Sequence, residues 1–454
     1  MRIPLTLLLL IALTLSACTV LAQGSAASSH NRSEQPAERQ IKFTDYRLSN
    51  GLRVLLAPDE RESGVAINIT FDAGSRNERP GHTGLANLLE HIMMQNLQSD
   101  AQDGRTPATS ETNGVFEGTI NQERASYFAS FPATQLDSVL LSLARSMRSL
   151  VINQVILDKQ RALMREERKQ SNNMPYSAME EALLDLSYSN FAYRHNSIGS
   201  SSDLDNLTLD LVRSFFKTYY APNNAVISIV GNFDEGRAKK IVESYFREIP
   251  RRPAPPRVNT SQAMFMSERR ETVSDLHANF PFYWTGYLTV PSNHRDWYAL
   301  NLLADILGQG DAARLYVSLV KKNLALSVPE GVNEARAPVL LRIGAKLPAG
   351  GSIETVEAII DSEIARIQSE GVTKVEMETA RSQERQYSLE QLHSAPGRAN
   401  FLSRAAVYYN DPNRINTELG RMLAVTAEDV RRVARKYLIK TNRAVVIIQP
   451  AASR

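Results

Sequence analysis

The sequence predicts an α+β chain built as two related domains, each a sheet with helices packed on it. Three observations predict it. The 454 residues exceed one ordinary core and fit two domains of roughly 200 residues each. Strand-like runs such as Val65 to Phe71 and Tyr287 to Val290 alternate with helical stretches such as Gln135 to Leu150 and Thr355 to Gln368, a layered pattern with helices on one face of a sheet. Segments of the first half also recur in the second. Thr208 to Tyr219 aligns without gaps with Thr426 to Tyr437; each reads as a helix opening on a capping Thr, followed by an apolar strand, Ala225 to Val230 or Ala444 to Ile448. Two copies at so long a period indicate duplicated domains rather than a solenoid.

The elements follow in order from the N-terminus. Residues 1–18 read as a secretory signal: Arg2 precedes an apolar stretch from Ile3 to Leu15, which ends in Leu15-Ser16-Ala17-Cys18. That ending is similar to a bacterial lipobox, in which the Cys becomes the lipidated first residue. Cys18 is the only cysteine, so no disulfide forms within the chain, and lipidation explains its position. Cleavage after Val20-Leu21-Ala22 is the other processing outcome and would release a soluble periplasmic protein. Thr19, rather than an Asp, after the Cys directs the expectation to the outer membrane. Residues 19–40 are poor in large apolar side chains and read as a flexible tether. The first domain covers residues 41–250, a Pro-rich linker residues 251–262, and the second domain residues 263–454.

Composition narrows the function classes. Lys plus Arg number 52 against 49 Asp plus Glu, a net charge of +3, so nothing predicts attraction to nucleic acid. Beyond the N-terminus no apolar run approaches the roughly 20 residues that span a bilayer. Membrane attachment is therefore expected through the lipid anchor only.

Leu85 to Met94, LANLLEHIMM, reads as a helix introduced by Thr83 as N-cap and by Gly84. Asn87 and His91 lie four apart on one face of it, with Glu90 beside them. In the second half Asn301-Leu-Leu-Ala-Asp-Ile306 repeats Asn87-Leu-Leu-Glu-His-Ile92 with Ala304-Asp305 in place of Glu90-His91. The shared apolar positions are a buried helix stripe; the chemistry differs. The layout is that of the inverted zinc motif H-x-x-E-H, in which two His bind metal and Glu is general base. Here it reads N-x-x-E-H. Taken alone, Glu90-His91 is an ordinary helix pair, and the acids in KQRALMREERK are an ordinary charged helix face.

Several segments in order resemble the pitrilysin (insulinase-like) zinc peptidases over nearly the whole chain. Leu48-Ser-Asn-Gly-Leu-Arg-Val54, Ala73-Gly-Ser-Arg-Asn-Glu78 and Gly84-Leu-Ala-Asn-Leu-Leu-Glu-His91 carry the resemblance in the first half. Tyr219-Tyr-Ala-Pro-Asn-Asn-Ala-Val-Ile-Ser-Ile-Val-Gly231 and Ile306-Leu-Gly-Gln-Gly-Asp-Ala-Ala-Arg-Leu-Tyr316 extend it through the second. The resemblance implies two domains of the pitrilysin and mitochondrial-processing-peptidase type. It also implies zinc as cofactor, Glu90 as base, His91 and Glu167 as metal ligands, and Asn87 at a degenerate ligand position. Glu117 and Tyr127 fall on a strand that flanks substrate. Three departures stand out: Asn87 for His, Gln160 for a supporting acid, and Glu117 for an Asn that holds substrate backbone. A carboxylate cannot donate the hydrogen bond an amide can.

Catalytic zinc takes three protein ligands and a water, whereas Asn87 offers a neutral amide oxygen better suited to hard ions such as calcium. His82, nine residues before His91, would point to the opposite side of a continuous helix. In the resembled family two domains form half of a closed chamber, which implies a homodimer or a heterodimer with an active homologue. The expectation is thus a periplasmic envelope lipoprotein, a non-catalytic peptide-binding or partner subunit whose ligand is a peptide or unfolded polypeptide. An active zinc metalloendopeptidase and a purely structural lipoprotein are the alternatives.

Overall fold

The computed structural model describes residues 40–102 and 116–451. The signal segment, Cys18 and the tether up to residue 39 lie outside the described residues. Ile41–Arg454 form one compact unit.

The first half runs β1 (Thr44–Arg47), β2 (Arg53–Pro58), β3 (Val65–Phe71), α1 (Leu85–Gln102), β4 (Phe116–Ile120), β5 (Ala125–Phe131), α2 (Leu136–Arg148), α3 (Gln154–Asn172), α4 (Ser177–Ser187), α5 (Phe191–Arg194), α6 (Ser201–Asn206), α7 (Leu209–Tyr219), β6 (Ala225–Gly231) and α8 (Glu235–Phe246). The second runs β7 (Arg269–Asp275), β8 (Phe282–Leu288), α9 (Asp296–Gly308), β9 (Glu330–Val332), β10 (Leu340–Lys346), α10 (Ile353–Glu370), α11 (Lys374–His393), α12 (Ala395–Tyr409), α13 (Arg414–Leu423), α14 (Ala427–Tyr437) and β11 (Arg443–Pro450).

Two mixed sheets result, ordered β1-β2-β6-β3-β5-β4 and β7-β11-β8-β10-β9. In each, one parallel pair joins an early strand to the closing one, β2 with β6 and β7 with β11; every other pairing is antiparallel. Strand for strand, β2, β3, β4, β5 and β6 correspond to β7, β8, β9, β10 and β11. The duplication read in the sequence is therefore a duplication of topology. The matching helices α7 and α14 open on Thr208 and Thr426, whose hydroxyls accept the N–H of Leu211 and Asp429, satisfying donors that a helix start leaves free.

Helices cover both faces of each sheet, where the sequence pattern suggested one. Strands β3, β6 and β8 are buried along their whole length, and strands buried on both faces need cover on both. The inner face of the first sheet packs on α1, α2 and α8 through Leu88, Leu140 and Val242. Its outer face, with Leu55, Ala66, Val226 and Val230, is covered by Ala395, Ala399 and Leu402 of α12 from the second half. Reciprocally, Leu183 and Leu184 of α4 pack on the outer face of the second sheet against Trp284, Leu340 and Val446. Across the first of these contacts the Ser228 hydroxyl donates to the Ala399 carbonyl at 2.6 Å.

Candidate metal centre

Helix α1 presents two stripes. Leu85, Leu88, Leu89 and Ile92 are buried against the sheet, the three- and four-residue spacing of an amphipathic helix. Asn87, Glu90 and His91 form the adjoining stripe. The start of α1 differs from expectation. Thr83 is not its cap; its hydroxyl donates to Asp203 Oδ2 at 2.6 Å. Gly84, at φ +85°, turns the chain into the helix, and the buried Glu78 carboxylate accepts the N–H of Gly84 (3.1 Å) and Ala86 (2.8 Å). An added Cβ on Gly84 would sit 2.8 Å from Leu204, so this turn requires glycine in both space and φ. His195 Nε2 lies 3.0 Å from Glu78 Oε2. Burial pushes the Glu78 carboxyl up while His195 and the two N–H groups pull it back. Burial opposes charge on His195, yet its contact with Glu78 raises its pKa overall.

His91 meets Glu167 of α3, Nε2 to Oε2 at 3.5 Å, and Glu90 Oε2 lies 3.9 Å from the same nitrogen. Of the two neighbouring acids only Glu167 turns inward; Glu166 accepts a bond from Gln170 on the exposed face. Glu167 Oε2 is buried without a hydrogen-bond partner. Burial, and then the Glu167 charge, push the Glu90 carboxyl up to about 7. Gln160, where an acid would support the site, donates to Gln95 Oε1 at 2.6 Å and so ties α3 to α1 as a neutral pair.

Below Glu90 lies strand β4, the edge of its sheet among the described residues. Gly118 faces the helix, and an added Cβ there would fall 1.8 Å from Glu90 Oε1. Its neighbour Glu117 is exposed and, by strand alternation, projects from the other face. The structure does not bring Glu117 together with Glu90. Tyr127 stands opposite Gly118 in the register and is fully buried, its hydroxyl 3.1 Å from that of Tyr220. Burial and neighbouring charge, Glu90 included, raise the pKa of both phenols. Sequence reasoning gave no role to Tyr220, Glu78 or His195. Glu78 and Tyr220 sit in segments that carry the family resemblance and His195 in none, and the partners of all three are distant in the chain.

Asn87 is buried on the helix face it shares with His91. Tetrahedral zinc donors at about 2.1 Å from the metal stand about 3.4 Å apart, the separation seen between His91 and Glu167, and the unpartnered Glu167 oxygen suits a ligand. The third donor is what is missing. Among the described residues no three His, Cys, Asp or Glu side chains converge to hold a metal ion. His82 does not fill the gap; it lies in the turn before α1, its N–H bonded to the Arg79 carbonyl. The donor set is thus a pair rather than the three that catalytic zinc takes.

Fold and helix together define the class: a duplicated sheet-and-helix architecture carrying an inverted-motif peptidase helix. Residues 53–201 match the family described as insulinase (peptidase family M16), and residues 206–384 match the peptidase M16 inactive domain. The chain belongs to the insulinase, or M16, peptidase family. It is 24% identical over 442 residues to the zinc protease PqqE of Helicobacter pylori, covering 95% of this chain and 97% of that one. The crystal structure of a protease from Helicobacter pylori superposes with a TM-score of 0.85 at 24% identity, covering 91% of this chain and all of that chain. The periplasmic protease PqqL from Escherichia coli shares the fold at a TM-score of 0.72 and 15% identity; 92% of this chain matches 48% of that one. Among the described residues no helix is long and apolar enough to cross a membrane.

Proposed function

We propose that this chain is a non-catalytic, peptide-binding or partner subunit of the cell envelope, working beside an active homologue rather than as an independent peptidase. One observation carries the reading: His91 and Glu167 meet at metal-ligand spacing, while the side chain four residues before His91 is the amide of Asn87, a poor zinc donor. Loss of even an outer supporting contact lowers metal affinity or activity about 10–100-fold, so loss of a ligand costs at least that. The edge strand β4 supports peptide capture by strand addition, a mode that needs only free backbone groups. A match to half of the longer periplasmic protein supports pairing with a second chain. The signal-like segment ending at Cys18 supports an outer-membrane lipid anchor facing the periplasm.

The test is cleavage of an unfolded polypeptide by the purified chain with zinc supplied. No cleavage is expected, with binding retained. Turnover that disappears in Glu90→Gln would sink the reading.

A second reading, an active zinc endopeptidase, is favoured by the unpartnered Glu167 oxygen and by Glu90 held at about 7, a value suited to a general base. A chelator separates the two: cleavage that it abolishes supports this reading, and cleavage indifferent to it removes it.

A further inference from the structure

We propose that the cleft between the two halves is a binding site for a small oxyanion, a carboxylate or a phosphate, gripped by Arg124 and Arg404. The proposal uses no residue of the metal centre and stands whether or not the chain cleaves peptides. The cleft is a cavity of about 320 Å³ between the β4–β5 turn, the β9–β10 connection, β10 and α12, and its charged lining is Glu123, Arg124, Glu334, Arg342 and Arg404.

The acids of this lining are already engaged. Glu123 Oε1 accepts the Tyr193 hydroxyl at 2.7 Å and the Arg336 backbone N–H at 2.9 Å, and its Oε2 faces Arg76 Nε at 3.2 Å. Glu334 accepts the Tyr409 hydroxyl at 2.5 Å and pairs with Arg404 Nη1 at 3.2 Å.

Of the bases, Arg404 pairs with Glu334 and Arg342 Nη2 with Glu180 Oε1 at 2.6 Å, which leaves Arg124 as the one without such a contact. Arg124 reaches only neutral oxygens, Ser126 Oγ at 3.2 Å and Asn400 Oδ1 at 3.1 Å. Among the described residues it has no ion-pair partner. The Nε groups of Arg342 and Arg404 are buried without a hydrogen-bond acceptor. Arg404 nonetheless keeps 30% of its side chain accessible, as expected of a group that lines a cavity rather than a packed core. Burial first, with the Arg404 charge, lowers the Arg124 pKa, and Tyr408 and the more distant Glu334 charge offset this only in part.

A guanidinium buried with no counter-charge in contact, as that of Arg124 is, is costly. An oxyanion in the cleft would supply that charge and meet the planar fork geometry that guanidinium groups offer. The Tyr408 ring lies beneath the guanidiniums of Arg124 and Arg336, at 5.9 and 5.6 Å from their centres, and fixes the orientation of the first.

The test is calorimetric titration of the purified full-length protein at constant ionic strength with inorganic phosphate, acetyl-dialanine and acetyl-dialanine amide. One saturable site per chain is expected for phosphate or for the free-acid dipeptide, and the pattern tells which source is used. Arg124→Gln should weaken that binding about 10-fold or more, the share of one charge-assisted hydrogen bond, with an unchanged circular dichroism spectrum. Arg404→Gln provides the same reading should Arg124→Gln fail to fold. Absence of saturable binding of both anions by the wild type would overturn the proposal. So would an amide bound as tightly as the free acid with phosphate unbound, or unchanged affinity in a folded variant.

Discussion

Position 87 adjoins two side chains that meet at metal-ligand spacing, which makes the side chain there decisive. His91 and Glu167 stand 3.5 Å apart, Glu90 packs over Gly118, and Tyr127 with Tyr220 closes the floor. Gly118→Ala should displace the Glu90 carboxylate, because no Cβ fits 1.8 Å from its oxygen. The expected outcome is a lower Glu90 pKa by carboxyl NMR titration as the group moves toward water; an unchanged value would contradict the packing. The second half carries an instructive counterpart. Asp305 aligns with His91, and Glu384 lies 79 residues beyond it (384 − 305), close to the 76 (167 − 91) between His91 and Glu167. Burial, then the charges of Glu384 and Glu330, push Asp305 up to about 9, and burial with Glu384 pushes Glu330 to about 7. Carboxyls raised in the folded state favour folding at low pH. Their contribution is full below the unfolded value near ~4 and is lost as pH rises through ~7 to ~9. Asp305→Asn should therefore raise Tm more at pH 8.5 than at pH 5; the reverse order would contradict the sign. That Glu90 and His91 lie together was legible from helix spacing, and that Glu167 joins them was an expectation of the family resemblance alone. Tyr220, Glu78 and His195 were not legible, because only tertiary contacts bring them to the site.

At the scale of the element, α1 depends on what precedes it. Its first N–H groups are taken by Glu78, and its entry turn by Gly84 at positive φ. Glu78→Gln should cost about 1–3 kcal/mol, the range for weakening bonds to a buried charge, with hydrogen exchange speeding first at Gly84 and Ala86. A loss of stability with no local exchange change would assign Glu78 another role. The elements themselves were readable: β3 and the Thr-capped α7 and α14 occur where periodicity and capping signals put them. The cap of α1 was misread because Thr83 has the right residue type, while its competitor Glu78 acts from six residues before Gly84. The second cover on each sheet was also missed. Its signal was present in FYWTGYL, a run lacking the polar alternation of a strand with one face in water, whereas VAINITF alternates at Asn68 and Thr70, both of which are buried.

For the whole molecule, the exchange of α4 and α12 across the halves means that neither half covers both faces of its own sheet. Unfolding should be a single transition by calorimetry and circular dichroism. Residues 41–250 produced alone should be aggregated or non-cooperative, since Leu55, Ala66, Val226 and Val230 lose their cover. Two separate transitions in the full chain would contradict this. The same exchange builds the cleft of Arg124 and Arg404, so a bound anion there should raise the one Tm that the molecule has. Zinc retention turns on the side chain at position 87, and elemental analysis of metal in the purified chain reads it out. After zinc loading and dialysis, the wild type should retain well below ~0.3 zinc per chain and Asn87→His close to ~1, as a completed ligand set requires. Equal, near-stoichiometric zinc in both proteins would contradict the account.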